Sequence, residues 1–338
     1  MLNLLSNNLP LNILIIIVGS LVVVLVGAFV GLLYRGIDRK LCAHMQGRIG
    51  PPIIQPFRDV KKLLIKESII PDGAVSWLFT GAPLLCLITS ALLLLYIPLF
   101  GQEALLGSTG DAILVLYLLI IPALALVIGG FASSSPFATV GAQREMVILM
   151  SYEFPLAVTV VAIAWRIGQV TAANPFMLAT IAEYPIWNLV GPLGVIGSLV
   201  LLFTLLVVTP GEVSKVPFDI AEAETEIAGG MLVEYSGRNL CLFYLADVIK
   251  AFAMVSLVVA LFFPYNLSPI FGLGAVSAVV VDVLFFLIKV FVVWFFSIVL
   301  VRTGMARFKI TQASRVYLIA MTVIGLVGLM LIWVDLIV

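Results

Sequence analysis

Residues 11–33 read LNILIIIVGSLVVVLVGAFVGLL, and residues 34–72 continue as YRGIDRKLCAHMQGRIGPPIIQPFRDVKKLLIKESIIPD. A bilayer span needs about 20 apolar residues, because ~30 Å of hydrocarbon is crossed at ~1.5 Å per residue. The first run meets that length without a charge, and the second packs eight basic residues into a connector: Arg35, Arg39, Lys40, Arg48, Arg58, Lys61, Lys62 and Lys66. An apolar span followed by a strongly basic loop is the pattern of a helix whose next loop stays on the side where basic residues collect. The run outlasts a signal-peptide core and has no basic segment before it, so it is expected to be a permanent helix.

Seven further runs repeat the apolar pattern, at about 77–98, 112–132, 146–165, 188–208, 241–263, 274–300 and 316–338. The composition agrees: 63% of the 338 residues are hydrophobic and 11% are charged, with mean hydropathy +1.24. So few charges cannot cover the surface of a soluble domain of this length. The runs are continuous rather than alternating, which excludes a β-barrel. The expected fold is therefore an all-α integral membrane protein, one transmembrane domain over 1–338, with about eight helices. No internal repeat is visible, so the nested halves of many secondary transporters find no support.

Loop charge sets the expected orientation. Arg144 lies between the third and fourth runs, Lys215 and Arg238 between the fifth and sixth, and Arg302, Arg307, Lys309 and Arg315 between the seventh and eighth. With the first loop these make fifteen of the eighteen basic residues on one side, while the other side holds only Arg166. That side is expected to be cytoplasmic, with both termini opposite. The formal net charge is zero, which implies no nucleic-acid partner. Cys42, Cys86, Cys241 and His44 show no metal-ligand spacing beyond the nearness of Cys42 and His44, so no iron–sulfur, haem or zinc site is expected in this chain. Cys42 reads as a plain buried thiol or as a marker of a cavity mouth, and His44 as a loop residue.

Two loops carry most of the chemistry. GRIGPP is turn-rich, and after it residues 55–67 place Phe57, Val60 and Leu64 at helical spacing with charges opposite. That is an amphipathic helix at the interface, either a surface helix snorkelling its lysines or a cavity wall with Asp59 turned inward. Residues 210–240 hold Glu212, Asp219, Glu222, Glu224, Glu226 and Glu234 against two basic residues. On a helix begun at Pro217, Asp219, Glu222 and Glu226 would share one face, as a solvated acidic surface or as a funnel for protons or cations.

Five ionisable groups fall inside the apolar runs: Glu153, Asp247, Lys250, Asp282 and Lys289. Each costs ~2.5–3.5 kcal/mol on insertion scales. Pro155 after Glu153 suggests a local break that admits water. Asp247 and Lys250, at i and i+3, are spaced to pair. Asp282 and Lys289 share a face ~10 Å apart, which points to a link through water or a neighbouring helix. Mutual neutralisation between helices and a proton half-channel both fit these groups.

The stretches VPFDIAEAETEI and VEYSGRNLCLF, with DRKLCAHMQGRIGP, FASSSPFATVGAQREMVILMSYE and VRTGMARFKITQ in the same order, resemble the membrane subunit at the heart of respiratory complex I, NADH dehydrogenase subunit one or the H chain. The passage from GRIGPP straight to IIQPF, and the wording around SSSPFATVGAQREM, look closer to the membrane anchors of energy-converting [NiFe]-hydrogenase complexes, formate hydrogenlyase and sulfur-reducing relatives included. The resemblance implies a subunit without redox centres that joins a soluble arm to ion-pumping membrane subunits. It implies [NiFe]-hydrogenase-like large and small subunits with iron–sulfur proteins, antiporter-like subunits and membrane lipid as partners, in a prokaryotic plasma membrane with the redox arm on the cytoplasmic side. It puts Glu153, Asp219, Glu222, Glu224 and Glu226 on an ion path, with Asp59, Asp247 and Lys289 in matching segments; Glu145, Lys250 and Asp282 are further expected members of that path. Arg39, Arg48, Arg144, Arg238 and Arg307 would hold docking partners or lock the cavity's acids. The alternatives are a quinone-site subunit of an NADH- or deazaflavin-type quinone oxidoreductase, and a free-standing ion transporter.

Overall fold

The computed structural model describes residues 9–271 and 274–337. Nine helical elements carry the architecture: α1 Leu9–Met45, α2 Gln55–Ile65, α3 Ser76–Tyr96, α4 Ala112–Ala132, α5 Pro136–Gly168, α6 Pro192–Glu212 and α7 Gly237–Phe262. α8 runs from Ala275–Trp294 through a π turn, Phe295–Val299, into Leu300–Gly304. α9 begins at Ile310–Arg315, passes through a second π turn, Val316–Met321, and ends as Thr322–Ile337. All but α2 are long and apolar enough to cross a membrane, eight spans in all.

α7 is the axis of the bundle. Of its most apolar window 89% is buried, against 17% for α1, so α7 lies at the centre of the bundle and α1 at its periphery. α3 and α4 pack against each other and α3 against α7, while α5, α6 and α9 form a second group joined to the first along α4 and α5.

Helix ends depart from the apolar runs. α1 extends to Met45, well past the expected end at 33, so Arg35, Asp38, Arg39 and Cys42 ride on one helical face and His44 sits in a last turn rather than a loop. α5 begins at Pro136 rather than 146, which brings Arg144 and Glu145 into the helix. Proline suits a first helical position because its missing N–H needs no partner there. α6 is displaced to Pro192–Glu212 from the expected 188–208, α7 starts at Gly237 rather than 241, and α9 starts at Ile310 rather than 316. For α1 and α6 the charged residues that look like loop are held by other helices, Arg35 by Asp247, Asp38 by Arg302 and Glu212 by Lys250.

Two prolines inside helices leave carbonyls that other elements take up. Pro83 in α3 cannot donate to the carbonyl of Phe79, and the Tyr235 hydroxyl donates to it instead, 3.2 Å away, with the two rings stacked at 4.1 Å. Pro210 in α6 likewise leaves the Leu206 carbonyl without its helical donor, and Ser297 Oγ, in the π turn of α8, donates to it at 2.8 Å. Tyr317, in the π turn of α9, donates to the neighbouring Val207 carbonyl at 3.3 Å. The two π turns thus grip the end of α6 that carries Glu212.

Four connectors meet at one end. Val75 donates to the Ala132 carbonyl, Arg238 N–H to Ser68 Oγ, and Phe308 N–H to the Pro217 carbonyl. The expected basic loops therefore lie together. At the opposite end Ala112 bonds to Phe176, and Asn266 to Gly101.

Candidate functional site

Two adjacent cavities lie at the basic end. The inner one, of about 80 Å³, is lined by Glu145 of α5, Glu212 of α6, Asp247 and Lys250 of α7, and Glu222 and Arg35 among others. That volume holds a few waters. The outer one, of about 350 Å³, is lined by Asp38, Arg39, Lys215, Asp219, Arg302 and Arg307, with Trp294, Val248 and Ala251 on its apolar wall. Arg35, Ser214 and Glu222 line both and form the partition.

Partners of the buried charges come from far away in the chain. Asp247 is held by Arg35 and by Lys215, whose Nζ lies 2.8 and 3.0 Å from its two oxygens. The Arg35 guanidinium also lies over the Tyr244 ring, 4.3 Å from its centre. Lys250 does not pair with Asp247 as the spacing suggested; it pairs with Glu212 at 2.8 Å, both deeply buried. The i and i+3 positions lie side by side, but each charge points toward a different neighbouring element. Burial pushes the Lys215 ammonium below its ordinary range, with Asp247 pulling the other way.

The segment between α6 and α7 is not the expected helix. It is a chain of short turns, Ile220–Glu222, Glu224–Ile227 and Gly230–Leu232, broken by extended Ala223 and left-handed Ala228. A side chain on Gly230, whose φ is +56°, would strike the Ala221 carbonyl, so the reversal requires glycine. Asp219, Glu222 and Glu226 consequently face three directions. Asp219 accepts two bonds from Arg307, at 2.8 and 2.6 Å. Glu226 is exposed and paired with Arg144 at 2.7 Å, and Glu224 is exposed at the rim of the outer cavity. Glu222 points into the partition, where burial, and after it the negative charge of Asp247, pushes its carboxyl up to about 7 against the pull of Lys215 and Arg35. Part of the residue still meets solvent, so its proton can exchange through the outer cavity.

Past the inner cavity, α5 carries further buried polar groups. Glu145 is 2% exposed, and two turns further along Glu153 Oε1 and Tyr152 Oη are buried without a hydrogen-bond partner among the described residues. α5 runs unbroken through Pro155, so the expected local break at Glu153 is absent. Buried carboxyl and phenol groups with unused bonding capacity are chemically suited to hold and pass protons.

Other expected members lie elsewhere. Asp282 is at the opposite end, accepting from the Leu267 and Ser268 amides and from Ser268 Oγ. Lys289 donates to the Phe263 and Tyr265 carbonyls. The two are linked through the 263–268 connector, not through a neighbouring helix, and both stand apart from the cavities. Asp59 of α2 pairs with Arg39 at 2.8 Å and accepts from Gln55, which turns it inward at the rim. Arg39, Arg144 and Arg307 hold acids of this chain, whereas Arg48 and Arg238 are exposed with no ion pair among the described residues. Cys42 is buried and touches Asp38 and Thr303.

Sequence reading missed Arg35, Asp38, Lys215 and Arg302. Asp38, 3% exposed, pairs with Arg302 at 2.7 Å. The available signal was the spacing of Arg35, Asp38, Arg39 and Cys42, which puts all four on one face once α1 is carried through the charges. Among the described residues no group of His, Cys, Asp and Glu is arranged to hold a metal ion.

A family pattern described as NADH dehydrogenase matches residues 17–333. A solved structure titled as the membrane-bound sulfane sulfur reductase, an archaeal respiratory membrane complex, contains a chain that superposes with a TM-score of 0.80 at 26% identity. The match covers 93% of this chain and 98% of that one.

Proposed function

Because the chain belongs to the NADH dehydrogenase family and is a complex-I-like membrane subunit of respiratory type, we propose that it couples electron transfer in an attached soluble arm to movement of protons or sodium ions. The observation that carries this reading is the partition: Glu222, with its carboxyl near 7, stands between an outer cavity open at the basic end and an inner cavity that continues to Glu145, Glu212 and Lys250. Docking of the arm on the rim, where Asp59, Asp219, Glu224 and Glu226 meet Arg39, Arg144 and Arg307, would shift Glu222 relative to Arg35 and Lys215. A carboxyl poised near neutrality changes protonation with a small change in that field. The proton then passes inward toward Glu153.

The basic end faces the cytoplasm of a prokaryotic cell in this reading, and the partners are [NiFe]-hydrogenase-like subunits with iron–sulfur clusters and antiporter-like membrane subunits. The apolar wall of Trp294, Val248 and Ala251 favours a second reading, in which the outer cavity receives a quinone. The test uses the whole complex in vesicles. Glu222→Gln and Glu153→Gln are expected to abolish ion transport while leaving part of the electron transfer intact. Normal pumping by both variants overturns the proposal, and quinone-dependent turnover selects the second reading.

A further inference from the structure

α2 packs beside α1 at the periphery of the bundle. Its Phe57 ring sits 5.3 Å from the ring of Phe29, an exposed residue of the apolar part of α1. On its other side Val60 meets Cys241 of α7. The outer face of α2 carries Arg58, Lys61, Lys62 and Ile65, at i, i+3, i+4 and i+7, and Lys66 follows at its end. All four cations are exposed, and none makes an ion pair among the described residues. The one acid in the helix, Asp59, is taken by Arg39, which leaves Glu67 as the nearest free counter-charge.

Apolar side chains accompany the cations. Ile65 is 76% exposed, Ile69 is exposed beside it, and Trp77, in the first turn of α3, is 74% exposed. An exposed tryptophan at the start of a span marks the headgroup level of a bilayer. A helix that touches the apolar part of α1, shows isoleucines outward and ends beside such a tryptophan lies at that level. Cations held there without partners meet lipid phosphates.

We propose that the Arg58, Lys61, Lys62 and Lys66 face is a binding surface for anionic phospholipid headgroups, with Leu64, Ile65 and Ile69 against the upper acyl chains. An acidic protein surface is the competing occupant of the same charges. Phe29 and Trp77 decide against it, because they place the face in the bilayer boundary rather than above it. This inference does not depend on the coupling role, and its readout is lipid rather than transport.

The experiment titrates the detergent-solubilised complex with phosphatidylglycerol or phosphatidylcholine and counts retained lipids by native mass spectrometry. The wild type is expected to keep phosphatidylglycerol preferentially. A basic residue near an anionic membrane surface corresponds to about a fivefold change in affinity. Lys61→Gln with Lys62→Gln should therefore weaken retention more than tenfold, with phosphatidylcholine unchanged. A photo-crosslinking residue at position 65 should capture phospholipid. Equal retention by wild type and variant overturns the proposal, and so does capture of a protein subunit alone at position 65.

Discussion

Asp247→Asn should move the titration of a carboxyl it does not touch. Glu222 is held near 7 rather than at its ordinary 4.5 first by burial and next by the charge of Asp247, while Lys215 and Arg35 pull it down. In the native protein those two cations are occupied with Asp247, so the substitution removes a repelling charge and frees two attracting ones. Each pH unit corresponds to ~1.4 kcal/mol, and loss of a close charge in a partly screened site is worth at least that much. The Glu222 midpoint should fall by one pH unit or more. Infrared titration of the protonated carboxyl band reads this directly, with Glu222→Gln identifying which component belongs to that residue. The same carboxyl also makes stability depend on pH. Its native value lies above its unfolded one, so its contribution is full below about 4.5 and is lost as pH rises through about 7. The interval between those values corresponds to ~3 kcal/mol, an upper figure because the outer cavity admits water. A midpoint that stays near 7 in Asp247→Asn, or rises, refutes the electrostatic account of the partition.

Two further outcomes test the packing. Lys250→Met strands Glu212 in a site where it is 2% exposed, which should destabilise the protein by about 3–5 kcal/mol, whereas adding Glu212→Leu should recover most of that loss in thermal unfolding of the purified complex. Ser297→Ala leaves the Leu206 carbonyl without a donor, worth about 1–3 kcal/mol, and Pro210→Ala should reduce that loss by restoring the helical N–H; additive effects in the double-mutant cycle contradict the role given to Ser297.

Apolar length made the eight spans legible, because the bilayer requires it whatever the neighbours are. The ends of those spans were hidden for the opposite reason. Arg35 and Asp38 read as the start of a loop, yet α1 carries them because Asp247 and Arg302 receive them from 212 and 264 residues away. Helical spacing sees only one helix at a time. It pairs Asp247 with Lys250 and aligns Asp219 with Glu222 and Glu226, whereas the actual partners are set by how α6, α7 and the 213–236 connector meet. Glu153 was legible as a charge inside an apolar run and Glu222 as one of a cluster of loop acids, whereas the surroundings of both, and of Glu145, came only from the fold. Pro155 was read as a break because proline removes a helical bond, but the packed surroundings of α5 keep the helix whole.

The central position of α7 has a consequence for how the protein is made. A helix with both Asp247 and Lys250 is a poor candidate to enter lipid alone. Its partners Arg35, Glu212 and Lys215 all precede it in the chain, so they are already in place when α7 leaves the ribosome and seeks the bilayer. Asp38 is the reverse case, because its partner Arg302 is synthesised much later. It can wait, since it sits near the basic end of α1 within reach of water. The order of charges along the chain thus matches the order in which the membrane would reject them.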